Sequence, residues 1–248
     1  MHATGDRLVD AYFTARVASV GAKATRAQAF ALLAERDVSS LPVTDDGGRV
    51  VGIVSLTDLL RVPGLPSSPI AEVMHSPVVA VQPGSTLRDA AKAMIDRHIH
   101  RVLVTIGTSE LVGVLSVRDV MRAIAQDRIE DPLSSVMTRD PVTIDVGDPL
   151  SLGIDLLVRS KMHGVLVTER GAPVGLFTQA EALRSATMPA MAAIETFMSH
   201  AVLMLQKETP AHRAAGFAID MKARRIVAMD GAKIAGIATG IDLLRLVA

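Results

Sequence analysis

Apolar positions along the chain follow two alternating patterns, and each pattern recurs. Short apolar runs such as 78–81 are typical of strands, whereas 87–97 has apolar or small residues at the i, i+3, i+4, i+7 and i+8 positions of an amphipathic helix. Two β-rich runs joined by a turn with Gly and Asp follow, which indicates a hairpin, and a second helix comes next. The pattern predicts β-α-β-β-α units and an α/β (α+β) fold.

One short motif marks the end of each unit. It has Gly, an apolar residue, then Ser or Thr, and three positions later Asp or Glu, and it occurs as GIVSLTD (52–58), GVLSVRD (113–119), GLFTQAE (175–181) and GIATGID (236–242). The first glycines are 61, 62 and 61 residues apart, which indicates internal repeats. Because one such unit is too small to be stable alone, we expect two pairs. Pair one is 1–128 (repeats 8–62 and 70–126), and pair two is 129–248 (repeats 133–186 and 194–248).

Helix starts are marked by capping residues. Thr25 with Gln28, and Thr86 with Asp89, have the spacing of a capping box. The equivalent helices of repeats three and four follow Asp148–Pro149 and Thr209–Pro210, which predicts an N-cap with Pro at the first helical position.

Composition limits the classes of function. The 26 basic and 26 acidic residues cancel, and aromatic residues are 2% with no Trp, so neither a nucleic-acid field nor base-stacking platforms are expected. Without cysteine there are no disulfides or thiolate sites. The absence of Asn and Cys fits a thermophilic source, although codon bias explains it equally. The opening residues do not have the apolar core of a signal peptide, and no membrane span is predicted, so we expect a cytoplasmic protein.

Enzymatic function is not expected. The chain has no Walker-type phosphate loop, no G-x-G-x-x-G and no H-E-x-x-H motif. His98 and His100 are two residues apart with no evident third ligand, so no metal site is expected either.

The repeated motif has two interpretations. A hydroxyl followed three residues later by a carboxylate is first of all a capping box. The same groups at a helix N-terminus could hold a phosphate and a ribose diol. A cap alone does not require glycine at the strand end, so the four motif glycines suggest close approach of another backbone or of a ligand: Gly52, Gly113, Gly175 and Gly236.

With these motifs, the chain resembles CBS domains, units of roughly 60 residues that pair into Bateman modules. The resemblance implies a cleft between paired repeats for an adenosyl ligand such as AMP, ADP, ATP or S-adenosylmethionine, with no required cofactor. It also implies that the motif acid holds ribose and the hydroxyl lies near phosphate. Those pairs are Ser55 with Asp58, Ser116 with Asp119, Thr178 with Glu181, and Thr239 with Asp242. Glu181 departs from the usual Asp.

The resemblance further implies basic residues before the second strand as phosphate ligands. Repeats two and four have His100–Arg101 and Arg224–Arg225, repeat three has Lys161 and His163 before Gly164, and repeat one has only Ser39–Ser40. The alternative is that these cations complement helix C-termini. Because the basic sets alternate, we expect one phosphate-accepting cleft per pair. The resemblance implies Ser76, Val78 and Thr138 near adenine, and Thr86 near phosphate, although plain core strands are the alternative for the adenine positions.

We therefore expect a stand-alone regulatory protein that senses an adenine nucleotide and alters a partner protein of unknown identity. The even spacing of the repeats also predicts that two pairs pack face to face into a disc, either within one chain or through a homodimer. A structural scaffold with degenerate clefts is one alternative, and a nucleic-acid-binding accessory protein is another.

Overall fold

The computed structural model of the chain describes residues 2–36, 38–61, 67–159, 164–185 and 188–248, without the side chains of Thr57, Leu60, Arg61 and Leu183. The chain divides into two compact units. Unit 1 is Met1–Val120 with Val247–Ala248, and unit 2 is Met121–Leu246.

Unit 1 contains two small sheets and the helices that follow their strands. Its strands are β1 (Thr14–Ala15), β2 (Val20–Gly21), β3 (Ser40–Thr44), β4 (Val50–Ser55), β5 (Ala80–Val81), β6 (Arg101–Ile106) and β7 (Glu110–Ser116). Its helices are α1 (Arg26–Glu35), α2 (Leu56–Arg61), α3 (Leu87–Asp96) and the start of α4 (Val117–Gln126). The sheet orders are β2-β3-β4 and β1-β7-β6-β5. In each sheet a short opening strand runs parallel to the first strand of an antiparallel hairpin.

Unit 2 repeats this arrangement. Its strands are β8 (Thr138–Arg139), β9 (Thr143–Asp145), β10 (Gly164–Glu169), β11 (Ala172–Thr178), β12 (Leu203–Gln206), β13 (Arg225–Asp230) and β14 (Lys233–Thr239). Its helices, after the end of α4, are α5 (Leu150–Arg159), α6 (Gln179–Arg184), α7 (Ala211–Asp220) and α8 (Gly240–Leu244). The sheet orders are β11-β10-β9 and β12-β13-β14-β8. The predicted β-α-β-β-α order is therefore present four times in the described residues, which confirms the fold class.

The apolar stripe predicted for the first helix of repeat two forms the buried face of α3. Leu87, Ala90, Ala91 and Met94 of this helix are all fully buried. Both predicted capping boxes are present, one at Thr25 before α1 and one at Thr86 before α3. The alternation of apolar and polar positions thus fixes which helix face is buried, and the caps fix where the helices begin.

The predicted starts of α5 and α7 were both wrong by one residue. The helix α5 begins at Leu150, after Pro149, which forms an antiparallel bridge with Ala193. The start of α7 differs in the same way. Pro210 is the N-cap, with extended backbone at φ −58° and ψ 143°, and the helix begins at Ala211. Pro210 forms an antiparallel bridge with Pro132, and the Ala211 N–H donates to the Asp131 carbonyl at 2.8 Å. Because these contacts with repeat three hold Pro210 extended, it lies outside the helix.

Two motif glycines lie directly against the backbone of the other repeat in their unit. A Cβ on Gly113 would lie 2.5 Å from the carbonyl oxygen of Thr14, and a Cβ on Gly236 would lie 2.5 Å from that of Thr138. These are the points at which β1 pairs with β7 and β8 pairs with β14. A side chain at either glycine would push the paired strands apart.

The glycines of repeats one and three have the same environment. A Cβ on Gly52 would lie 3.1 Å from the His75 carbonyl oxygen, and one on Gly175 would lie 3.1 Å from that of Ser199, with a methionine sulfur closer still in both cases. Of the two sequence-based alternatives, close approach of another backbone is confirmed. Within each unit, the opening segment of each repeat crosses the motif glycine of the other.

The cores are aliphatic, as the composition predicts. One cluster contains Leu41, Val43, Val54 and Ile70 of unit 1. A cluster in unit 2 surrounds the fully buried Phe177. Among the described residues, no helix has the length and apolar character required to cross a membrane.

Candidate functional site

The four motif carboxylates are buried, with 6–8% of each residue exposed. In repeat two, Asp119 Oδ2 accepts hydrogen bonds from the Ser116 amide at 2.8 Å and from the Ser116 hydroxyl at 2.6 Å. In repeat four, Asp242 Oδ2 accepts the same pair from Thr239 at 2.8 and 2.7 Å. The acid thus closes the turn between the last strand and the second helix, which confirms the capping interpretation.

The motifs of the odd-numbered repeats have the same geometry. Asp58 Oδ2 accepts from the Ser55 amide at 2.8 Å and from its hydroxyl at 2.5 Å. Glu181 Oε2 accepts from the Thr178 amide at 3.0 Å and from the Thr178 hydroxyl. The extra methylene of Glu181 therefore does not change the pattern of hydrogen bonds at this turn.

In repeats one, three and four, the second carboxylate oxygen pairs with a basic side chain. His75 Nε2 lies 2.8 Å from Asp58 Oδ1, and Arg245 Nη2 lies 3.2 Å from Asp242 Oδ1. Arg184 Nη2 pairs with Glu181 Oε1.

The arginines that pair with the motif acids were not predicted. Each motif acid is followed three residues later by arginine, in DLLR (58–61), DVMR (119–122), EALR (181–184) and DLLR (242–245). The i, i+3 spacing places both side chains on one helix face, so this signal was available from the sequence.

Strand register places the first residue of each hairpin beside the motif hydroxyl of its own repeat. The pairs are Ser40 with Ser55, Arg101 with Ser116, Gly164 with Thr178, and Arg225 with Thr239. The position is basic only in repeats two and four, so each unit has one arginine at this point.

In unit 1 this arginine contacts the other repeat. Arg101 Nη2 donates to the Ser39 hydroxyl at 2.6 Å. The Ser39 carbonyl in turn accepts a hydrogen bond from the amide of Leu56, the residue after Ser55, at 3.0 Å. The arginine of repeat two thus reaches the motif turn of repeat one.

In unit 2 the arginine makes the equivalent approach to the start of the hairpin of repeat three. A Cβ on Gly164 would lie 2.9 Å from Arg225 Cζ and 3.1 Å from Thr178 Cγ2, so the guanidinium lies against the start of β10. Burial lowers the pKa of Arg225, the neighbouring Arg224 lowers it further, and Glu181 acts in the opposite direction. Within the described ranges, Arg225 forms no side-chain hydrogen bond or ion pair.

The other predicted site residues are dispersed. Val78 is half-buried beside β5, and Thr86 caps α3 through Asp89, whereas the remaining four are exposed: Ser76, His100, Thr138 and Arg224. Thr138 lies on the strand that crosses Gly236. Lys161 and His163 lie outside the described residues. In the part of the chain that is described, no three His, Asp or Glu side chains cluster as metal ligands do.

Comparison with known proteins identifies related folds and sequences. The crystal structure of protein MJ1225 from Methanocaldococcus jannaschii matches with a TM-score of 0.81 at 18% identity, over 98% of this chain and 100% of that one. An uncharacterized conserved protein from Pyrococcus horikoshii matches with a TM-score of 0.76 at 21% identity, with the same coverage. At these identities the likeness concerns the fold alone.

A sequence relative is an uncharacterized 33.4 kDa protein in the ribosomal RNA operon of Thermofilum pendens. It is 24% identical over 185 residues, which are 68% of this chain and 61% of the relative. The chain spans less than two thirds of this and of the next curated relatives it matches, of which it covers 18% and 25%. The CBS domain model matches residues 9–64, 70–126 and 133–187, so the chain belongs to the CBS domain family.

Proposed function

We propose that the chain is a regulatory protein that binds an adenine nucleotide in unit 2, between repeats three and four, and thereby alters a partner protein. The observation that carries this proposal is the environment of Arg225. Its guanidinium is half-buried against Gly164 and lacks a paired anion among the described residues. A desolvated cation is costly unless it is paired, and a phosphate group is a suitable bidentate partner.

The neighbouring groups fit the rest of a nucleotide. Arg224 adds a second, exposed cation next to Arg225. Thr178 and Glu181 of repeat three lie on the side that Arg225 approaches, and a carboxylate can accept hydrogen bonds from a ribose diol. The preference for adenine is what membership of the CBS family implies.

We further propose that residues 194–248 form a fourth CBS repeat, outside the segments that the family model matches. This segment has the same element order as the others, from β12 to α8. Its motif glycine, Gly236, has the same contact with the opening strand of the other repeat in its unit. The two CBS pairs would then be 1–128 and 129–248.

A ligand that contacts both repeats favours one relative placement of them, and a partner protein can respond to that placement. The ligand shifts this equilibrium only by the difference between its affinities for the two placements. Phosphate number is the natural variable because the cations of repeat four act on phosphate and not on adenosine.

The contacts between the repeats of unit 1 favour a structural role for that unit. Its arginine already donates to Ser39, and Asp58 already pairs with His75 across the two repeats. Polar groups paired within the protein stabilise the pair of repeats without a ligand. We propose that unit 1 serves mainly as a scaffold, and that unit 2 is the sensing unit.

A thermal-shift panel tests the proposed function. AMP, ADP, ATP, GTP and S-adenosylmethionine are each added to the full chain, because a ligand that binds only the folded state stabilises it by about 2.7 kcal/mol at a hundredfold excess over Kd. We expect an adenine nucleotide to raise Tm more than GTP does. If none of the compounds raises Tm, the result would favour a scaffold role for both units.

A further inference from the structure

The motif carboxylates of unit 2 have one oxygen that is fully used and one that is held by arginine. Glu181 Oε2 accepts from both the amide and the hydroxyl of Thr178. A carboxylate oxygen has two lone pairs, so these two donors occupy the inner oxygen. The outer oxygen, Oε1, is the one that pairs with Arg184.

Repeat four has the same arrangement on a different acid. Asp242 Oδ2 accepts from Thr239 twice, and Oδ1 faces Arg245 at 3.2 Å. The acid is buried in both cases, with a side-chain exposure of 8% for Glu181 and 11% for Asp242, whereas the arginines are 71% and 54% exposed. Any group that binds this carboxylate from the solvent side must therefore use the oxygen on which the arginine lies.

We propose that the arginine three residues after the motif acid, Arg184 at Glu181 and Arg245 at Asp242, sets the affinity for the ribose diol by occupying that outer oxygen. This inference rests on the proposed function. The arginine and the two diol hydroxyls are all hydrogen-bond donors. The arginine takes one of the two lone pairs of Glu181 Oε1, so it competes with one of the diol hydroxyls for that lone pair. The arginine side of each pair is 71% or 54% exposed, so the guanidinium can move into solvent when a diol hydroxyl takes its place.

This assignment gives the arginine a specificity role that differs from that of Arg225. Arg225 has no carboxylate partner among the described residues and approaches the cleft from the other repeat, whereas Arg184 is paired on the same helix as its acid. Removal of Arg225 is expected to act on phosphate, and removal of Arg184 is expected to act on the two ribose hydroxyls.

The experiment compares AMP with 2′,3′-dideoxy-AMP by isothermal titration against wild type, Arg184→Ala and Arg184→Lys. In Arg184→Ala, we expect the preference for AMP over the dideoxy ligand to rise about two- to fivefold, the scale of an exposed ion pair. Lysine keeps the charge and a donor, so Arg184→Lys is expected to stay near wild type. If the substitution acted only by weakening the general attraction for phosphate, it would change the affinity for both ligands equally. The preference for AMP over the dideoxy ligand would then stay unchanged.

A matched control is Lys207→Ala. It breaks the Lys207–Asp230 ion pair of 2.6 Å at the end of β13 remote from Arg225, and should leave the preference unchanged. An unchanged or reduced preference in Arg184→Ala, with AMP still bound by wild type, would overturn the inference alone. If wild type binds neither ligand, the proposed function fails and the inference falls with it.

Discussion

Arg101 of repeat two donates a hydrogen bond to the Ser39 hydroxyl of repeat one, with 2.6 Å between Nη2 and Oγ. By strand register, Arg225 of unit 2 is the equivalent of Arg101, and Gly164 is the equivalent of Ser40. The position that corresponds to Ser39 is His163, which lies outside the described residues. Arg101 is thus bonded to a hydroxyl in unit 1, whereas the Arg225 guanidinium lies against Gly164 and has no polar side-chain partner among the described residues of unit 2. This difference is why we place ligand binding in unit 2.

A substitution that adds one methyl group at the motif glycine tests the contact between the repeats. Gly236→Ala would bring a Cβ to 2.5 Å from the Thr138 carbonyl oxygen, so the paired strands must separate. We expect the free energy of unfolding to fall by about 1–3 kcal/mol, the usual cost of overpacking, measured by urea denaturation.

Gly216→Ala is the control for that substitution. Gly216 lies within α7, and a Cβ there would have no neighbour within 4 Å. Alanine in a helix interior is expected to stabilise by roughly 0.5–1 kcal/mol. Equal stability of the two variants would show that the glycine is not required for the contact.

The cap of α3 should make stability depend on pH. Hydrogen bonds from the Thr86 side chain, and then from its backbone, lower the pKa of Asp89 below 3.8. A carboxylate with a lowered pKa contributes stability above its unfolded-state pKa and loses it as the pH falls through the folded-state pKa. We expect Thr86→Ala to raise the pKa of Asp89 toward 3.8, followed by NMR titration.

The same substitution should cost about 0.5–2 kcal/mol at pH 7, as loss of an N-cap does. The cost should shrink as the pH falls through the lowered folded-state pKa of Asp89, because the carboxylate then becomes protonated. A cost that stays constant from pH 7 to pH 2 would mean that the cap does not involve the carboxylate.

Loss of a motif acid should weaken binding more than loss of an ordinary cap. Glu181→Ala is expected to reduce AMP affinity by about 1.5–3 kcal/mol, the scale for hydrogen bonds to a charged group. Asp89→Ala removes a capping acid outside the repeated motif and should leave affinity unchanged. Titration is carried out where both variants are folded, and equal affinities would leave only the capping role for Glu181.

We expect the Arg225 side chain to contribute to ligand binding and not to the stability of the fold. Burial and Arg224 lower the pKa of Arg225, so folding costs free energy as long as the side chain is charged, at every pH below the folded-state pKa. We expect Arg225→Met to raise the free energy of unfolding or lower it by no more than ~0.5 kcal/mol. A loss above about 2 kcal/mol, measured by denaturant titration, would assign Arg225 a structural role.

Local patterns predicted the fold class and the capping boxes, because these depend on spacing within about ten residues. The repeats were predicted from the recurrence of one short motif every 61 or 62 residues. The motif glycines also indicated a close approach from their position alone. The pairing of His75 with Asp58 was not predictable, because it depends on how two repeats pack. The start of α7 was misplaced for the same reason, since a bridge from Pro132 determines the backbone of Pro210.

The i, i+3 arginines differ from these long-range contacts. Arg184 and Arg245 could have been found by extending the alignment of the repeats three residues beyond the motif. The homodimer or disc arrangement stays a prediction.

The most direct measurement is isothermal titration of adenosine, AMP and ATP against wild type and Arg225→Ala at fixed salt, with Lys207→Ala as the control for charge removal. Because a charge-assisted hydrogen bond to phosphate contributes about 1.5–3 kcal/mol, Arg225→Ala should lose roughly tenfold or more in ATP affinity. Its affinity for adenosine should change little, so the difference between the affinities for ATP and adenosine becomes smaller. Equal losses for adenosine and ATP would show that Arg225 does not face phosphate and would contradict the proposed site.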